Sequence, residues 1–124
     1  MSRRLSEELD RDSQRILKFW HPNLNLDKIK ITHGGIIAWF FARFFKAAAV
    51  TLGKTIHFAQ EPDLRLLIHE LKHIEQQEEI GTARFYAEYI IDWIRAGFKD
   101  GPTLPLEEPA YKIEREFLES NNLR

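Results

Sequence analysis

The stretch 64–80, LRLLIHELKHIEQQEEI, constrains the fold of this chain more than any other. It is a long apolar-periodic run between Asp63, a favoured residue for starting a helix, and Gly81, a favoured residue for stopping one. A helix is therefore predicted from Leu64 to Ile80. At about 100° per residue, Leu64, Leu67, Ile68, Leu71 and Ile74 share one apolar stripe. His69 and His73 fall on the far side, yet Leu66 and Ile80 lie on that side too. The helix is therefore predicted to be covered on two sides. Covered histidines need polar partners, because a buried polar group left unpaired costs roughly 1–3 kcal/mol.

His69, Glu70 and His73 form an H-E-x-x-H pattern. Histidines four apart project from one helical face and can bind one Zn²⁺. Glu70 flanks that face. It can take a proton from metal-bound water without being a ligand itself, and zinc lowers the pKa of that water from about 16 to about 7. The bland alternative is a pair of surface histidines in a charged run. Zinc catalysis uses three protein ligands and one open position, so a third ligand is needed. Glu114 is the first candidate. It shares the apolar face formed by Ala110, Ile113 and Phe117 on the last predicted helix, where a lone carboxylate is costly unless paired or metal-bound. A buried ion pair with Arg84 or Arg95 would also satisfy it. Glu116, Glu88 and Asp92 are the rival ligands.

The rest of the chain supplies a small α+β frame. A helix is expected over residues 3–20 and a strand over 28–32. The aromatic run Ile36–Val50 fits either helix or strand. A hairpin joins the run ending at Thr51 to Thr55–Phe58 through Gly53-Lys54. A helix follows Gly81 to about Phe98, then a loop over Lys99–Pro105. A final helix runs from near Pro109 to about Ser120, ahead of a frayed NNLR tail. The expected architecture is an N-terminal helix, a two- to three-stranded sheet and three helices, in a single domain spanning 1–124. With 124 residues, 44% of them hydrophobic, the chain can bury a core without staples. It has no cysteine, which excludes zinc ribbons, iron–sulfur clusters and thiol catalysis. A net charge of -1 argues against nucleic-acid binding. No run is apolar enough to span a membrane, and the opening MSRRLSEELDRD is too charged for a secretory signal. The expected location is the cytoplasm, with signal-independent export left open.

H-E-x-x-H followed by a helical glutamate resembles the gluzincin metallopeptidases. In those proteins the third ligand begins an E-x-x-A-D type segment. Aligned on Glu114-Arg115-Glu116-Phe117-Leu118, this chain lacks the small residue and the aspartate. AVTLGKTIHF followed by LRLLIHELKHIEQQ more closely resembles the zincin-like core domain of extracellular contractile injection systems and bacterial toxin-associated proteins. The likeness is closest from Ala49 to Gln77 and looser to Phe117. It implies a zincin-like fold, a Zn²⁺ cofactor and a peptide or protein substrate. It also implies that Thr55–Phe58 is an edge strand pairing with extended substrate, that His57 could face the site, and that Tyr111 could stabilise an oxyanion.

Two functions follow. One is a zinc-dependent metallopeptidase with His69, His73 and Glu114 on the metal and Glu70 as general base. The other is a catalytically inactive zincin-fold binding or scaffolding domain. It would act through an aromatic surface around Trp39, Phe40, Phe41, Phe44 and Phe45, meeting a protein partner or a second copy of the chain.

Overall fold

The computed structural model describes residues 3–45, 47–98 and 104–122. These form β1 (Arg3–Arg4), α1 (Leu5–Glu8), α2 (Arg11–Trp20), a short 3-10 turn (Leu26–Lys28), β2 (Lys30–His33), α3 (Ile36–Phe45), β3 (Ala49–Leu52), β4 (Thr55–Phe58), α4 (Leu64–Ile80), α5 (Thr82–Arg95) and α6 (Glu107–Asn122). The architecture is mixed α+β, as the sequence predicts. Most of the expected 99–105 loop (Lys99–Thr103) and the last two tail residues, Leu123 and Arg124, lie outside the described residues.

Three expectations change. The single N-terminal helix is broken in two, because the Asp10 carboxylate accepts the Ser13 N–H at 2.7 Å and starts α2 afresh. Ahead of that break, the Leu5 N–H bonds the Ile29 carbonyl at 2.8 Å and Leu5 is fully buried. Among the described residues the sheet has four strands in the order β1-β2-β4-β3, one more than the upper expectation. The fourth, β1, is two residues long and too short to show alternation. Finally, Thr55–Phe58 is not an edge. β4 lies between β2, which it pairs in parallel, and β3, which it pairs antiparallel. Among the described residues the edge strand beside the hairpin is β3.

The β3–β4 turn is tight because Gly53 takes a φ of 61°, a region that other residues rarely enter. Alternation along β2 and β4 turns Ile31, Ile56 and Phe58 to one face. There they meet the Leu67, Ile68, Leu71 and Ile74 stripe of α4. Burying each such side chain contributes about 1.5–3 kcal/mol, so this seam is the main cohesive layer. The opposite side of α4 is covered by α5 and α6, so the helix is buried on both sides, as its wheel predicts.

Ile36–Phe45 folds as a helix. It buries Ala38 but leaves Ile36 81%, Trp39 60% and Phe40 46% exposed. The side chains of Phe44 and Phe45, part of the predicted aromatic surface, lie outside the described residues. Among the described residues no helix is long and apolar enough to cross a membrane.

Candidate metal centre

The centre is built on the second face of α4. Asp63 starts this helix by accepting the Leu66 N–H at 2.8 Å, and Gly81 ends it. The i, i+4 spacing then sets the His69 and His73 rings edge to face, with centroids 5.2 Å apart. His69, Glu70 and His73 are all buried, and one ligand atom from each lies within 4.8 Å of the others. These three residues could hold a metal ion.

The nearest carboxylate to both rings is Glu107, in the first turn of α6. Its Oε1 lies 3.0 Å from His69 Nε2 and 2.9 Å from His73 Nε2. Its Oε2 accepts the Tyr89 hydroxyl of α5. The other ring nitrogens are occupied as well. His69 Nδ1 is 2.9 Å from Glu114 Oε1, and the second Glu114 oxygen pairs with Arg65 at 2.9 Å. His73 Nδ1 is 2.9 Å from Gln76 Oε1, and the Gln76 amide N–H donates to the Leu106 carbonyl at 3.0 Å. That second bond orients the amide so that its oxygen faces His73.

These contacts define a donor set. Glu114 and Gln76 present acceptors, so each Nδ1 must carry a proton. A neutral imidazole carries only one proton, which leaves both Nε2 lone pairs aimed at one carboxylate oxygen. Lone pairs facing a carboxylate repel. Either both rings become imidazolium side by side, or a cation sits among the three groups. Two Nδ1-protonated imidazoles beside a carboxylate are chemically suited to a divalent metal, so the residues here could hold one.

Electrostatics without a metal express the same conflict. Burial lowers the affinity of His73 for a proton, but the hydrogen bond to Glu107 and the Glu70 and Glu107 charges outweigh it. His73 is pushed up to about 9. His69 is also raised: burial opposes the proton, and Glu107 and Glu70 overcome that. Burial raises Glu107, yet hydrogen bonds from His69 and His73 hold it far below the usual carboxylate range. Glu70 is raised by burial, offset in part by the two histidines and by the Thr51 hydroxyl. That hydroxyl donates to Glu70 Oε1 at 2.9 Å, and Glu70 Oε2 lies 4.0 Å from His69 Nε2.

The other residues singled out in the sequence are placed as follows. Glu114 reaches His69, on Nδ1 rather than among the Nε2 atoms, and its arginine partner is Arg65 rather than Arg84 or Arg95. Tyr111 packs edge-on against His69 with centroids 4.5 Å apart. Glu116 is exposed, and Glu88 pairs with Arg84 at 3.3 Å. Asp92 lies partly exposed on α5. His57 bonds Thr32 at 2.9 Å on the sheet face away from α4, so the fold does not bring it to the centre. Glu107, Tyr89, Gln76 and Thr51 were not among the sequence candidates. A signal for Glu107 did exist. Glu107-Glu108-Pro109-Ala110 carries the E-x-x-A spacing, and Ala110 is fully buried.

Residues 23–81 match the family model of the eCIS core domain. The match relates this segment to the core of extracellular contractile injection systems. It runs from the loop before β2 to the end of α4, so it includes His69, Glu70 and His73 but neither Glu107 nor Glu114. Comparison with curated proteins and with solved structures gives no match.

Proposed function

We propose that this eCIS-core-related chain is a zinc-dependent hydrolase of peptide bonds, with His69, His73 and Glu107 as ligands and Glu70 as general base. The observation that carries this reading is the convergence of both Nε2 atoms on Glu107 Oε1 while both Nδ1 atoms are already occupied. Zinc on such a His₂Glu set supplies Lewis acidity and a water acidified to near neutral pKa.

The chain's own residues do the rest. Glu114 and Gln76 fix the tautomer and tilt of the two rings. Tyr89 holds the second Glu107 oxygen and so limits the swing of that carboxylate. Thr51 holds Glu70 Oε1, leaving Oε2 toward the histidines. Burial raises Glu70, which makes it a better base than an exposed glutamate. Glu70 takes a proton from the attacking water and returns it to the departing amine nitrogen as the C–N bond breaks. The water oxygen stays on the carbonyl carbon.

Exposed Ile36, Trp39 and Phe40 favour a second reading, in which the metal only clasps α4 to α6 and α3 binds a partner. Two measurements separate the readings. Elemental analysis of protein purified without chelator or affinity-tag metal should give near one zinc per chain. The zinc-loaded parent should cleave an unstructured protein, and Glu70→Gln should keep its zinc and lose the cleavage. Zinc without cleavage supports the clasp, and no zinc at neutral pH ends the hydrolase reading.

A further inference from the structure

Glu70, His73 and Glu107 form the floor of a cleft of about 400 Å³. Its walls differ from that floor in chemistry. They are Phe41 of α3, Leu52 of β3, and Ile90 and Trp93 of α5. We propose that this cleft receives a large apolar side chain of an extended peptide lying along β3, so that the chain selects substrates carrying such a residue beside the bond to be cut. This rests on the hydrolase reading for the cutting, but not for the binding.

Three observations support the occupant. The first is the charge of the floor. Glu70 and Glu107 are already matched there by His69 and His73 or by the metal, so a charged side chain of either sign gains little and would have to shed its water against apolar walls. An apolar side chain meets no such cost, and cavities of this size and lining are typical of ligand sites.

The second is the edge strand. The Ala59 N–H bonds the Ala48 carbonyl at 2.8 Å. Alternation along an antiparallel pair then makes Val50–His57 and Leu52–Thr55 the bonded pairs. The backbone groups of Ala49 and Thr51 therefore face the open edge. Tyr86 covers its hairpin end, accepting the Gly53 N–H at 2.8 Å and donating to the Thr51 carbonyl at 2.9 Å. A peptide pairing alongside is thereby confined to the stretch at Ala49–Val50, which itself lines the cleft. Alternate peptide side chains would then point toward α4, as the Thr51 side chain does.

The third is the wall. Three neighbouring side chains of α5 fasten it to the centre: Phe85 against His73, Tyr86 on β3, and Tyr89 on Glu107. Ile90 and Trp93 continue from these anchors along the same helix, so the apolar wall is held at a set distance from the floor.

The test uses N-acetyl-Ala-X-Ala-amide peptides with X as Phe, Leu, Ala, Asp or Lys. Affinity is read by NMR titration of the full chain, with and without zinc, and cleavage is followed in parallel. Phe and Leu should bind at least about tenfold tighter than Ala, a difference of about 1.4 kcal/mol. Asp and Lys should bind no better than Ala. Ile90 is half exposed, so Ile90→Asp is expected to fold, and it should erase the preference. Equal affinities for all five peptides overturn the proposal, as does a preference for Asp or Lys. Concentration-dependent pairing of the chain that Ile90→Asp abolishes would assign the cleft to a second copy and overturn it too. Preference without cleavage leaves this proposal standing and removes the hydrolase reading. Cleavage without preference does the reverse.

Discussion

Replacing Glu107 with glutamine keeps the shape of the side chain and removes the charge that both histidines face. In metal-free protein, His73 sits at about 9 against an ordinary 6.5. The folded state holds that proton more tightly than the unfolded chain, so the gain is fully present below pH 6.5 and is lost as pH rises through 9. At about 1.4 kcal/mol per unit, the parent holds about 3 kcal/mol at pH 6 that Glu107→Gln lacks. The low pKa of Glu107 describes the same interaction from the other partner and is not added. For a chain of this length the loss lowers the melting temperature by about 12 °C at pH 6, and by almost nothing above pH 9.5. Zinc should sharpen the contrast. At a free concentration about a thousandfold above its dissociation constant, it stabilises the parent by about 4 kcal/mol. Glu107→Gln should lose most of that gain, and Glu114→Gln should keep between about one third and two thirds of it. Thermal unfolding followed by circular dichroism at pH 6 and 9.5, with and without zinc, reads all of these. A zinc-induced rise in Glu107→Gln equal to that of the parent would refute the ligand assignment. A destabilisation that does not change with pH would refute the account of His73.

Other residues carry separate expectations. Glu114→Gln should weaken zinc binding by about 10- to 100-fold, the usual effect of removing a group that orients a ligand, as read by competition with a chelating dye. Thr51→Val should lower kcat/KM by about tenfold, the worth of a hydrogen bond to a charged group. Because the Thr51 hydroxyl holds Glu70 down, its loss should also move the acidic limb of the pH profile to higher pH; an unmoved limb would mean that Thr51 serves packing alone. His21 is fully buried, paired with Glu75 and bonded through Nε2 to the Ile68 carbonyl at 3.0 Å. His21→Ala should cost about 3 kcal/mol in urea unfolding while leaving zinc content at one per chain.

α4 was legible because everything that defines it is local. Asp63, the apolar period and Gly81 mark its ends, and the i, i+4 spacing alone aligns His69 with His73. Glu107 was not legible, because Pro109 draws the expected helix start two residues too late. α6 in fact begins at Glu107, where first-turn acids favour the helix dipole and proline is still tolerated. A helical wheel placed Glu114 on the face toward α4, but a wheel reports angle and not height. Glu114 lies seven residues beyond Glu107, about 10 Å along the axis, so it meets the far nitrogen of His69. β1 was hidden for a different reason. Its pairing with Lys30 and Ile31 is made by backbone groups far apart in sequence, and the Arg3-Arg4 side chains carry no trace of it.

The two edges of this sheet are unequal. At one, β1 offers two of the described residues, both arginine and both exposed. So short and charged an edge resists the addition of another strand. Open fibres need two adhesive edges on every copy, one to receive and one to give. With β1 blunted, strand exchange between copies through β3 would be self-complementary and would close after a single pairing. Any pairing of copies at high concentration should therefore stop at dimers. Changing Arg3 and Arg4 to β-branched apolar residues would remove that stop and let the sheet propagate from copy to copy.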